Sequence, residues 1–194
     1  MLGVAKDGTG SPMTEDLDRA RIVELFDELS KELSFSRTRA QVYVVGGAAI
    51  ALAFDISRFT KDVDVLITSA HGNLVKAAQA VARKNGLPEA WLNEAAVGFL
   101  PTQTDSNARS VYYSPYLTVS SASARHLLAM KIQAGRGKDR SDIKFLMKHL
   151  ELQSTDEAMG VYKELFPGQE LSMVAKEAIE ELCEELELER TQLD

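Results

Sequence analysis

Cysteine is almost absent: the chain of 194 residues has one, Cys183. A lone thiol forms no internal disulfide, which fits a cytoplasmic home, and its simplest role is that of a small buried hydrophobe. Histidine is scarce too, with three in all, and no Cys/His cluster has the spacing of a zinc site. No apolar run approaches the length of a membrane span, so no membrane contact is expected. Met1 to Met13 is rich in Gly, Ser and Thr and lacks the apolar core of a signal peptide. Residues 1–13 are expected to form a disordered tail, or an extension upstream of a start at Met13. No internal repeat is visible. Tryptophan occurs once, as Trp91. Its expected role is a packing anchor, with a base-stacking platform as the alternative.

What is present suits one soluble domain with a helical appendage: 45% hydrophobic residues in a chain long enough to bury a core. The net charge of −7 argues against nonspecific nucleic-acid binding by the whole surface. Its distribution is uneven. Between Arg125 and His149 stand seven Lys/Arg against Asp139 and Asp142, and from Leu150 onward thirteen acids face Lys163, Lys176 and Arg190. A basic centre beside an acidic tail suits a polyanionic ligand; solvated helix faces are the plainer alternative.

Periodicity supplies the frame. Thr14 to Leu33 reads as a helix with Thr14 as N-cap, Glu15 and Asp16 in its first turn, and Leu25, Phe26, Leu29 and Leu33 on its apolar stripe. Ser34 to Arg39 is a polar loop whose Arg37 and Arg39 are expected to be exposed. Val42 to Val45 favours a strand and Ala48 to Phe54 a tightly packed helix. A second strand runs to Leu66, and a helix spans Asn73 to Asn85, stopped by Gly86-Leu87-Pro88. Val111–Tyr113 and Tyr116–Ser120 read as strands around Ser114-Pro115. Helices follow at Ala122–Ala134, Asp139–Leu150, from the Ser154-x-x-Glu157 capping box to about Phe166, and at Leu171–Leu188.

The most informative stretch is Val42 to Leu66. Gly46-Gly47 removes two β-carbons where the first strand turns, which permits close approach of phosphates to backbone N–H groups. Asp62 and Asp64 are two apart on the next strand, so both point to one face. Paired carboxylates opposite a Gly-Gly turn are the groups that a Mg²⁺-triphosphate needs. Gly46-Gly47 followed by Arg58-x-Thr60-x-Asp62-x-Asp64 resembles the signature of the polymerase-β-like nucleotidyltransferase superfamily.

A second constellation, Lys131 followed by Arg136-x-Lys138-Asp139-Arg140-Ser141-Asp142, concentrates charge between apolar helices. One reading is a Lys/Arg–Asp network that fixes two helices; the other is an active-site lysine with its acids. With the first motif, and with Trp91-Leu-Asn-Glu94 and Gly98-Phe-Leu-Pro101, it resembles the small AbiEii/MenT-type nucleotidyltransferases, toxins of toxin–antitoxin pairs, over roughly Gln41 to Leu150. That resemblance implies an α+β fold: a small mixed β-sheet packed with helices, core at 14–121, with a helical region at 122–194 completing the active site. It implies that Asp62 and Asp64 hold Mg²⁺ or Mn²⁺, and that Gly46, Gly47, Arg58, Thr60 and Lys131 hold the nucleoside triphosphate. Catalysis falls to Asp62, Asp64, Lys131, Asp142 and Asp139, and RNA binding to Arg136, Lys138 and Arg140. The implied reaction moves a nucleoside monophosphate onto the 3′ end of transfer RNA, blocking translation until a cognate antitoxin intervenes. Alternatives are a protein or small-molecule acceptor such as an aminoglycoside, or a catalytically silent nucleotide-binding module. One departure from the superfamily pattern stands out. The strands from Val111 to Ser120 hold no Asp or Glu, so a third carboxylate is expected from Asp139, Asp142 or Glu94, or not at all.

Overall fold

A computed structural model describes residues 16–55 and 57–191, with side chains through Glu187. The tail expected at 1–13 lies outside these residues, as do Thr14 and Glu15. The first helix, α1 (Arg19–Phe35), starts later than the periodicity implied. Its N-cap is Asp18, whose carboxylate accepts from the Arg21 N–H at 2.7 Å. Leu17, the first apolar residue of the stripe, is drawn out of the helix into a two-way backbone pairing with Thr60.

The sheet has five strands in the order β3-β2-β1-β5-β4. β1 (Ala40–Val44) alternates in burial and pairs antiparallel with β2 (Val63–Ser69). On its other side β1 runs parallel to β5 (Leu117–Ser121), which pairs antiparallel with β4 (Arg109–Tyr113). β3 (Leu92–Asn93) is two residues long, parallel to β2, and places Asn93 opposite Asp64. This mixed sheet with its helices is the expected α+β architecture.

Seven α-helices surround it among the described residues. α2 (Gly46–Ala53) begins directly at the Gly-Gly pair, and its five residues from Ala48 to Leu52 are all buried. α1 packs on α2 and on α3 (His71–Asn85), which ends in the left-handed Gly86. Trp91 is buried, and its indole N–H donates to the Ala78 carbonyl, so it anchors α3 and offers no face to a base. α4 (Ala124–Ala134) packs on α5 (Arg140–His149) and on α6 (Thr155–Leu165). Ser154 caps α6 through the Glu157 N–H, while Glu157 reaches back to the Gln153 N–H, one residue short of a full capping box. α7 (Met173–Thr191) closes against α5 and α6 and buries Cys183. Among the described residues, no helix is long and apolar enough to cross a membrane.

Candidate active site

The turn from β1 into α2 is built on glycine. Gly46 has φ +65°, a conformation L side chains rarely adopt. A β-carbon on it would stand 2.8 Å from Asp64 Oδ2, and one on Gly47 would stand 2.9 Å from Thr60 Oγ1. The two glycines therefore let the carboxylate and the hydroxyl close directly onto the first turn of α2. The N–H groups of that turn are the ones a helix leaves without internal partners. Thr60 also donates from Oγ1 to the Asp62 carbonyl at 3.1 Å, and the Val45 N–H donates to the Asp64 carbonyl at 2.9 Å. Asp64 lies in β2, while Asp62 stands one residue before the strand's first, and both face one cleft.

Burial pushes the Asp64 carboxyl above its ordinary range, and the charge of Asp62 adds to that; Arg136, Lys131 and Lys138 pull the other way. Asn93 Nδ2 donates to Asp62 Oδ2 at 3.3 Å and the same side chain's Oδ1 accepts from the Ala95 N–H, so the short β3 orients the first carboxylate.

The opposite wall is an ion network. Lys131, on α4, is buried and places its ammonium 2.7 Å from Asp139 Oδ1 and 2.7 Å from Asp142 Oδ2. Arg58 reaches Asp142 Oδ1 at 2.7 Å. Two cations and two acids thus neutralise one another, which is how such groups tolerate burial. Both oxygens of Asp142 are engaged. Among the described residues, Asp139 is engaged through Oδ1 alone.

Gly46, Gly47, Arg58, Thr60, Asp62, Asp64, Lys131, Arg136, Lys138, Asp139 and Asp142 all line one cleft, of about 740 Å³ out to its mouth. Of the residues expected at the site, Arg140 does not join them. It is turned to the far side of α5, onto Glu181 at 3.2 Å and Glu185 at 2.7 Å of α7. Glu94 is also outside the cleft, bonded to the Ile67 N–H and to His71. Hydrogen bonds from these two groups hold its carboxyl below the usual range against the opposing effect of burial. Arg37 and Arg39 are absent from the cleft wall. Asn93, Ala96 and Phe99 were not singled out by periodicity; Asn93 ends a two-residue strand, and Ala96 caps and Phe99 ends a 3₁₀ turn (Val97–Phe99), both too short to show one.

The residues fit a divalent cation: Asp62 and Asp64 are two hard oxygen donors on one face, one of them raised in pKa by burial and by its neighbour's charge. No cluster of three or more His, Cys, Asp or Glu is placed to share a metal among the described residues, so any such cation would rest on the pair and on its ligand's own oxygens. A mixed sheet in which Asp64 of β2 and Asp62 just before that strand face a Gly-Gly helix start defines a nucleotidyltransferase-like architecture. The chain belongs to a family described as a nucleotidyltransferase of unknown function (DUF6036), whose model matches residues 20–170. No curated protein and no solved structure matches the chain.

Proposed function

We propose that the protein transfers a nucleoside monophosphate from a nucleoside triphosphate to an acceptor hydroxyl, with the 3′ end of transfer RNA as acceptor. The observation that carries this reading is the closure of Asp64 and Thr60 onto Gly46 and Gly47 in a cleft walled by Lys131 and Arg58. Asp62 and Asp64 would hold Mg²⁺ or Mn²⁺, which when bound supplies positive charge against the triphosphate. The N–H groups of the Gly46-Gly47 turn and the cations of Arg58 and Lys131 would hold phosphate oxygens.

The acceptor oxygen attacks the α-phosphorus. The bond from that phosphorus to the bridging oxygen breaks, and pyrophosphate leaves. The acceptor's proton passes to a carboxylate. Asp139 suits that task better than Asp142, because one of its oxygens is unspent while both of Asp142 are held by cations. Lys138 and Arg136 line the same cleft and suit the phosphates of an RNA end. A toxin role and a cognate antitoxin rest on the family resemblance of the two motifs.

The test is to incubate the protein with Mg²⁺, each labelled nucleoside triphosphate in turn and total transfer RNA, beside Asp62→Ala. Label on RNA from the wild type alone is expected. Label from Asp62→Ala overturns the site assignment. Metal-dependent nucleotide binding without label on RNA replaces the acceptor with a protein or small molecule, or removes catalysis altogether.

A further inference from the structure

The cleft has two chemically distinct halves. Its charged half was described above. Its other half is apolar: Leu127, Met130 and Ala134 lie three to four residues apart on one face of α4, so they form a continuous wall flanking Lys131. Facing in from the turn after β3 are Ala96 and Phe99. Phe99 is packed against the core along part of its surface, and the Arg136 guanidinium sits over its ring at 5.0 Å from the centroid. An apolar wall inside a polar cleft has no use in holding phosphate or metal. It suits a planar apolar group attached to a polyanion.

We propose that Phe99, with Ala96 and the Leu127–Met130–Ala134 face of α4, is the platform on which the nucleobase stacks, and that Arg136 covers this platform until nucleotide arrives. The inference rests on the nucleotide reading above and extends it to the half of the ligand that the carboxylates do not touch. Three points support it. Aromatic rings and flat guanidinium groups are the side chains on which bases stack. The face of the ring is covered by the guanidinium of the exposed Arg136, 5.0 Å from the centroid, and not by the core, so a side chain that moves aside bares it to a planar partner. Arg136 also lines the same cleft as Asp62, Asp64 and Lys131, so a guanidinium displaced from the ring stays near the charged half, where phosphates would lie. The base is gripped by its faces here: the platform contains no side-chain amide or hydroxyl.

The experiment compares two probes by calorimetry in Mg²⁺: a nucleoside triphosphate and inorganic tripolyphosphate, which has the anion without the base. Phe99→Ala is expected to weaken triphosphate binding about 10- to 100-fold and to leave tripolyphosphate unchanged. Phe99→Tyr restores the affinity. Phe99→Leu keeps the apolar bulk that the core contacts and covers the case in which alanine unfolds the turn; it too is expected to lose nucleoside triphosphate selectively. Equal weakening of both probes, or no weakening of either, overturns the platform while leaving the nucleotide reading standing. A wild type that binds neither probe in Mg²⁺ overturns both.

Discussion

Asp64 Oδ2 lies 2.8 Å from the point where a β-carbon on Gly46 would have to stand. The strand that carries the acid and the turn that faces it are thus in contact through a missing side chain. Gly46→Ala meets both a clash and a left-handed backbone, whereas Gly86→Ala meets only the backbone cost, since its φ of +66° opens onto empty space. Thermal unfolding should show Gly86→Ala losing about 1–2 kcal/mol and Gly46→Ala losing more. Gly46→Ala alone should also weaken Mg²⁺-triphosphate binding, because Asp64 must move.

Asp64 ties stability to pH. Burial, and then the Asp62 charge, raise its carboxyl in the folded protein. A raised carboxyl stabilises the fold fully below the unfolded pKa, and that contribution is lost as pH rises through the folded one. Without metal, Asp64→Asn should therefore match or exceed the wild-type Tm at neutral pH. The advantage should shrink as pH falls toward the usual carboxylate range near ~4. Adding Mg²⁺ should raise the wild-type Tm and leave Asp64→Asn where it was.

Lys131 neutralises two acids at once. Lys131→Ala leaves Asp139 without its cation, and Asp142 with Arg58 only. Urea denaturation should show a loss of about 3–5 kcal/mol. Arg58→Ala should cost less, because its side chain is 34% exposed and Asp142 keeps Lys131.

Asp139 and Asp142 should separate kinetically. If Asp139 takes the acceptor's proton, Asp139→Asn lowers kcat about 10²- to 10⁴-fold with little effect on triphosphate binding. Asp142→Asn should act instead on stability, since its carboxylate holds Arg58 and Lys131 in place.

The basic segment divides by direction. Arg136→Ala and Lys138→Ala should each weaken RNA binding and flatten its dependence on salt, by about 0.7 in the logarithmic slope for each lost single-strand phosphate contact. Arg140→Ala should leave that slope unchanged. Its effect on stability should stay within about 1 kcal/mol, because it ends exposed ion pairs to Glu181 and Glu185.

Much of the candidate site is legible in the sequence, because its charged half is local. Gly46 to Asp64 is one strand–helix–strand passage, and alternation alone put the two aspartates on one face. Lys131, Asp139 and Asp142 were legible as charges set among apolar helical residues. Arg140 was not separable from them by composition. A helix turns by about 100° per residue, so a neighbour of Asp139 points elsewhere, and the acids of α7 that receive it are some forty positions downstream. The Asn93–Asp62 hydrogen bond and the Phe99–Arg136 cation–π contact join segments about thirty to forty residues apart. Both depend on elements of two or three residues, in which no period can develop. The start of α1 moved because Thr60 competes for Leu17, a long-range pairing that local helix propensity does not register.

That pairing has a consequence for where the folding unit begins. The Leu17 N–H donates to the Thr60 carbonyl at 2.6 Å, and the Thr60 N–H donates back at 2.9 Å. The loop bearing Arg58 and Thr60 is thereby sewn to residues that precede the first helix, outside the 20–170 span that defines the family match. A chain trimmed to that span would keep every strand of the sheet and every acid of the cleft. It would lose the stitch that fixes how far Thr60 leans over Gly47, so the edge of the enzyme, in working terms, lies a few residues upstream of the edge of its family.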